Sequence, residues 1–256
     1  MRYNKDSVVG TMLFTLVLCL FCSVMITGTS AGLKERAQAK QLAELKRSVL
    51  KTAGYGQLID NNLSENFDSH VTAVVLDLDS GAIQPDLDAM TFDDRMAAMN
   101  PDTSRKPKKD TARIGRRADM ARAFKITNDQ GELEGVVMPI HGKGLWSVIY
   151  GYVALDADLN TIKNVTIYEH GETPGIADFL EDESWLSQWQ GKKLFDDSGK
   201  VAVKVVRGGA EDGDEHAVDG VSGATLTGRG VERSMQFWFG EEGFRAFLSS
   251  IKASEV

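Results

Sequence analysis

Residues 123–168 read AFKITNDQGELEGVVMPIHGKGLWSVIYGYVALDADLNTIKNVTIY, and four apolar runs stand out: Ala123 to Ile126, Gly135 to Ile140, Leu145 to Leu155 and Ile162 to Tyr168. β-branched and aromatic residues crowd these runs, which suits strands. The spacers Asn128-Asp-Gln-Gly131 and Asp156-Ala-Asp-Leu-Asn160 are built of turn formers. Consecutive strands are therefore predicted to pair antiparallel.

Upstream, Val71 to Asp77 is a further strand candidate, ending in the turn Asp79-Ser80-Gly81. Leu42, Leu45, Val49 and Leu50 fall at helical spacing before a natural stop at Gly54. Downstream, a helix is predicted around Phe179 to Gln188, a strand over Val201 to Val206, and helix from Leu226 to Ile251 with a break near Gly240. Helices that bracket a meander predict an α+β fold, a largely antiparallel sheet flanked by helices. Residues 84–117 are polar, carry Pro101 and Pro107 and show little periodicity. They are predicted to form an exposed insertion, with short helical pieces around Phe92 to Met99.

No charge occurs between Asp6 and Lys34, and the apolar run from Val8 to Ile26 is close to the ~20 residues that span hydrocarbon. Arg2, Lys5 and the small residues Thr29-Ser-Ala31 also fit a cleaved signal peptide. The apolar core exceeds the usual signal length of about 7–15 residues, so a retained anchor is the preferred reading. The expected organisation is a transmembrane anchor over 1–32, a juxtamembrane amphipathic helix over 33–57, and a domain over 58–256 that contains the 84–117 insertion.

The 256 residues carry a net charge of −8, which argues against broad phosphate-backbone binding and against nucleic acid as a partner. The basic stretch Arg105-Lys106-Pro-Lys108-Lys109, with Arg113, Arg116 and Arg117, is interleaved with Asp and small residues and reads as a solvated loop. Both cysteines, Cys19 and Cys22, lie inside the apolar run, where a lone pair lacks the further ligands of a metal or iron–sulfur site. No metal ligands are assigned.

Three segments carry chemistry. Asp219-Gly220-Val221-Ser222-Gly223-Ala224-Thr225 sits where a loop meets a helix. Its glycines permit a sharp turn, and free N–H groups at a helix start favour phosphate. A plain N-cap explains the same residues equally well. In Gly142-Lys-Gly144-Leu145-Trp146 the glycines allow backbone to approach a planar group against which Trp packs, or they simply open a hairpin. In His170-Gly171-Glu172-Thr173-Pro174-Gly175, Glu172 and Thr173 are placed to hydrogen-bond a ring edge and His170 to tune its protonation; the alternative is plain surface.

Asp219-Gly-Val-Ser-Gly-Ala-Thr225 resembles the flavinylation sequence of the covalent FMN-binding domains of ion-pumping respiratory complexes. Together with the other two segments in the same order, the stretch Trp189-Gln-Gly-Lys-Lys-Leu-Phe195 and the N-terminal span, it is similar to the C-type subunit of the sodium-translocating NADH:quinone oxidoreductase. The G-type subunit of the electron transport complex shares the motif and is the alternative. The resemblance implies FMN joined through its phosphate to Thr225, with Thr227 the only nearby competitor. It also implies flavin contacts from Asp219, Ser222, Gly223, Ala224, Gly144, Leu145, Trp146, His170, Glu172, Thr173, Pro174 and Gly175. The chain departs from the family after Gly175, with Ile176-Ala-Asp where Leu-Gly is expected.

A redox carrier needs no catalytic residue of its own. The implied role is relaying electrons between a membrane iron–sulfur centre and the covalent FMN of a neighbouring subunit. The implied partners are the other membrane subunits, membrane lipid, and a separate flavin transferase that uses FAD and magnesium. The implied location is the bacterial inner membrane, single-pass, with the domain on the periplasmic side. Two readings of other classes compete: a Mg-dependent phosphatase using Asp77, suggested by Val74-Val-Leu-Asp77-Leu-Asp79, and a module holding a phosphorylated ligand non-covalently at Ser222 to Thr225.

Overall fold

A computed structural model describes residues 8–60 and 62–254, and the chain divides into two units at Leu45 and Lys46. The first unit is helical throughout its described residues. Helix α1, Val8–Thr52, begins there and runs for 45 residues. No proline falls within it, so nothing removes a backbone donor or clashes with the preceding turn. Its segment Val8–Ser30, 23 residues of mean hydropathy 2.5, is long and apolar enough to cross a membrane. Arg2 and Lys5 lie outside the described residues. Within the segment 33–57 expected as a juxtamembrane amphipathic helix, residues 33–52 are helical and belong to α1. The expected stop at Gly54 holds. Gly54 takes φ +90°, its N–H donates to Lys51 O at 3.1 Å and Tyr55 N–H donates to Leu50 O at 2.9 Å, a Schellman closure.

In the second unit, α2 (Leu63–His70) leads directly into β1 (Val71–Asp77). The insertion folds as α3 (Asp94–Met99) and a short hairpin of β2 (Ser104–Arg105) and β3 (Arg117–Ala118). The meander follows: β4 (Met120–Thr127), β5 (Leu133–Lys143), β6 (Val148–Asp156) and β7 (Ile162–Glu169). They form one sheet in the order β1-β4-β5-β6-β7, antiparallel at every step. Residues 145–147, expected in strand, form the β5–β6 turn instead.

Period-two alternation divides the sheet into two buried faces. Ala123, Val136, Met138, Ile140, Val153 and Leu155 belong to the main core, with Val231, Met235, Phe244 and Phe247 from the C-terminal helices. On the other face Phe124 meets Phe67 and Tyr152 edge to face, and Thr52 Oγ1 donates to Thr166 Oγ1 at 2.9 Å.

The helix expected over 179–188 is broken into a 3-10 turn at Asp178–Leu180, α4 (Glu183–Leu186) and a second 3-10 turn at Ser187–Trp189. Burial of Phe179, Trp185 and Trp189 around one corner bends the chain there. The strand expected over 201–206 is β8 (Lys204–Arg207), which pairs in parallel with β9 (Ala217–Gly220). The C-terminus forms α5 (Thr225–Trp238) and α6 (Arg245–Ser254) around the predicted break.

The insertion is not the solvated loop its composition suggests. Arg117 is fully buried, with Nη2 2.8 Å from Asp79 Oδ1 and Nη1 donating to the Glu242 carbonyl at 2.6 Å. Arg105 also pairs with Asp79, and these two guanidiniums hold the Asp79 carboxyl below its usual range against the opposing effect of burial. At α3, Asp94 accepts from Arg122 N–H at 2.9 Å and Nη2 at 3.1 Å, and Arg95 pairs with Glu169 while lying 3.7 Å from the centroid of the Tyr150 ring. Lys106, Lys108, Lys109 and Arg113 remain exposed as expected. The phosphatase reading fails on topology. Asp77 ends an edge strand of an antiparallel sheet, and its carboxylate is taken up by Asp79 N–H, Ser80 N–H and the Ser80 hydroxyl at 2.7–3.1 Å.

Candidate functional site

The site begins with how closely α5 lies on β5. A Cβ on Gly230 would stand 2.9 Å from both Gly144 Cα and Lys143 O, and one on Gly142 would stand 2.2 Å from Ser234 Oγ. Trp238 Nε1 fixes the far end of α5 by donating to the His141 carbonyl at 2.7 Å. This packing brings the first turn of α5 to the β5–β6 turn. Gly230→Ala therefore presses a methyl against the backbone of Lys143 and Gly144; the expected loss is about 1–3 kcal/mol, read as a lower denaturation midpoint with an unchanged m-value.

The β5–β6 turn closes with Gly144 N–H donating to Ser147 O at 2.9 Å, which leaves three successive amides pointing inward. Glu172 receives all three. Its carboxylate accepts from Leu145 N–H at 3.0 Å, Trp146 N–H at 2.9 Å, Ser147 N–H at 2.8 Å, Ser147 Oγ at 3.1 Å and Thr227 Oγ1 at 2.7 Å. Burial alone would raise its pKa, but the donors led by Thr227 outweigh it and hold the group at about 2. One buried anion thus joins two of the motif segments to the first turn of α5. Glu172 was expected at a ring edge; its oxygens instead point into the protein and are fully engaged.

The loop beyond Glu172 is tight. The Thr173 carbonyl accepts from Ile176 and Ala177 N–H at 3.2 and 3.1 Å, Gly175 takes φ +80°, and its N–H donates to Asp178 Oδ1 at 2.8 Å. The departure Ile176-Ala-Asp is thereby accommodated: Asp178 closes the turn, Ala177 is buried and Ile176 stays half exposed. Thr173, Pro174 and Gly175 present their outer surface to solvent. His170 is partly buried beside this loop. Its Nδ1 accepts Glu172 N–H at 3.3 Å, and its Nε2 lies 3.3 Å from Glu181 Oε1 without hydrogen-bond alignment.

In the third segment Asp219 is structural in its contacts. Its N–H donates to Gln188, its Oδ1 accepts Ala210 N–H at 2.8 Å, and its carbonyl accepts Trp185 Nε1–H at 2.7 Å. Gly223 takes φ +84° with open space where a Cβ would stand, Ser222 is exposed, and Ala224 is buried. Helix α5 then starts without a side-chain cap and without an acidic residue in its first turn. The N-cap alternative for these residues is therefore not realised. Thr225 is half-buried, and among the described residues its hydroxyl has no hydrogen-bond partner. Thr227 is buried, its hydroxyl held by Glu172.

Leu226 lies exposed in this uncapped start, and the β5–β6 turn that Glu172 ties to it carries the exposed Leu145 and Trp146, the latter 67% exposed; Ile176, in the loop beyond Glu172, is exposed too. A tryptophan so open beside other apolar side chains, next to free helix amides, suits a ligand that is planar and apolar at one end and anionic at the other. Sequence reasoning passed over Ser147, Ile176 and Leu226, and took Thr227 only as a competitor. The legible signal was the glycine turn: successive inward amides need an acceptor, and Glu172 was at hand.

A family model described as the FMN-binding domain matches residues 144–240. The chain is 41% identical over 253 residues to the C-type subunit of the Na(+)-translocating NADH-quinone reductase from Yersinia pestis, covering 97% of this chain and 95% of that one. It is 38% identical over 261 residues to the corresponding protein from Vibrio alginolyticus, covering 100% of both. A crystal structure of NqrC from Shewanella oneidensis superposes with a TM-score of 0.81 at 54% identity, covering 84% of this chain and 99% of that one.

Proposed function

The chain belongs to the NqrC family, the C-type subunits of the Na(+)-translocating NADH-quinone reductases, and on that footing we propose that it carries FMN as a phosphoester on Thr225. It is an electron-transfer subunit of that oxidoreductase, binds FMN, and works with the other subunits of a membrane complex. Membership of this family also decides between the two related complexes.

The observation that carries the proposal is the contrast between the two threonines: Thr225, partly buried at an uncapped helix start, has a hydroxyl without a partner among the described residues, while Thr227 is buried with its hydroxyl spent. Attachment makes a bond from Thr225 Oγ1 to the FMN phosphorus as the pyrophosphate of FAD breaks. The hydroxyl proton is lost, AMP leaves, and a separate flavin transferase with magnesium performs the step. When bound, FMN supplies the electron-accepting and electron-donating ring.

The chain's own residues then position and shelter. The free amides at the start of α5, with Ser222, Gly223 and Ala224, would receive phosphate oxygens. Leu145, Trp146 and Leu226 would exclude water from the ring, and Thr173, Pro174 and Gly175 would border it. Gly144 and Glu172 shape the turn that presents Trp146, while Asp219 and His170 hold the segments on either side. We further propose that Val8–Ser30 is a single-pass anchor in the lipid of the bacterial inner membrane, with the domain on the periplasmic side, and that electrons pass between a membrane iron–sulfur centre and an FMN on a neighbouring subunit.

The test is the full chain co-expressed with the transferase, run on a denaturing gel and viewed for flavin fluorescence. A fluorescent band at the chain's position is expected. Its absence, with the transferase active on another substrate, would sink the covalent link and leave non-covalent binding as the surviving reading.

A further inference from the structure

Helix α5 carries a cation where helix electrostatics disfavour one. Arg229 lies four residues after Thr225, so the two side chains leave the same face with Cβ atoms about 5–6 Å apart. Arg229 is exposed, and among the described residues its guanidinium has no hydrogen bond, ion pair or ring contact. Positive charge near a helix N-terminus adds to the partial charge of the unsatisfied amides, and here neither a capping oxygen nor a first-turn acid offsets it. Glu232, the acid next along α5, is engaged elsewhere, accepting from Val205 N–H at 2.8 Å and Gln236 Nε2 at 3.2 Å.

We propose that Arg229 binds the phosphodiester formed at Thr225, its guanidinium donating to a non-bridging oxygen of the single negative charge. This rests on the Thr225 reading. The diester supplies the missing compensation, and a planar donor fork suits a phosphate oxygen pair. Arg233 continues the same stripe a turn further on. At eight residues from Thr225 it is about 12 Å away along the axis, out of reach, and serves as an internal control.

The experiment uses the flavinylated full chain in detergent, its adduct verified by intact mass, and records the ³¹P resonance of the diester. Arg229→Gln is expected to shift that resonance, Arg229→Lys to return it part-way, and Arg233→Gln to leave it in place. Raising the salt from about 0.1 M to about 1 M, where screening shortens from about 10 Å to about 3 Å, should move the wild-type resonance toward the Arg229→Gln position and leave that variant unmoved. A resonance indifferent to both Arg229→Gln and salt, or one displaced equally by Arg233→Gln, overturns the assignment. Absence of the adduct mass from the wild-type chain overturns the Thr225 reading itself, a result distinct from an unmoved resonance.

Discussion

Replacing Thr225 with alanine leaves a folded chain that carries no covalent flavin, a complete loss of the fluorescent band and of the adduct mass. The hydroxyl has no partner among the described residues, and alanine is a good helix former, so stability should change by no more than about 0.5 kcal/mol. Thr227 cannot take over, because the residue is only 3% exposed and its hydroxyl proton is donated to Glu172 at 2.7 Å. Thr225→Ser should keep the band. Thr227→Ala should keep it too while lowering stability by about 1–2 kcal/mol through the loss of a hydrogen bond to a buried anion. A band that survives loss of Thr225 but not of Thr227 would move the attachment site.

Glu172→Ala is expected to be the most destabilising single substitution at the site, by about 3 kcal/mol or more, since it strands three amides and two hydroxyls that share one buried carboxylate. For a domain of this size that corresponds to a fall in melting temperature of roughly 6–12 °C. Glu172→Gln should lose nearly as much, because its amide nitrogen meets donors with a donor.

The pH dependence has a definite sign. The folded pKa of about 2 lies below the ordinary value of 4.5, so the Glu172 contribution is complete above about pH 4.5 and is lost as pH falls toward 2. Denaturant melts across that range should show the gap between wild type and Glu172→Gln constant at higher pH and closing below 4.5. A gap that stays constant down to pH 2 would show that the charge of Glu172 is not what the donors recognise.

The meander was legible because its signal is local: alternating β-branched and aromatic residues between turn formers give β1 to the residue and β4 to β7 with ends off by up to three residues. Elements defined by distant partners were not. The parallel pairing of β8 with β9 joins segments about ten residues apart that show no shared pattern, and the corner at Phe179 to Trp189 follows from where two tryptophans are buried rather than from helical spacing. The change of hydropathy at Lys34 leaves no mark on helical geometry, which runs on to Thr52. At the site, the structure brings two of the motif segments together with the first turn of α5 on Glu172. What the motifs did not convey was direction: Glu172 looks like a ligand-facing residue in a linear string, yet its carboxylate is spent on protein donors.

The buried Arg117 makes residues 84–117 a part of the domain's closure, tied to Asp79 beyond β1 and to the Glu242 carbonyl between α5 and α6. Trypsin should therefore nick the exposed Lys108 or Lys109 without releasing anything. The two fragments stay together as a complementing pair, and the flanks of the cut, unlike its tip, have little freedom to shorten or drift in length.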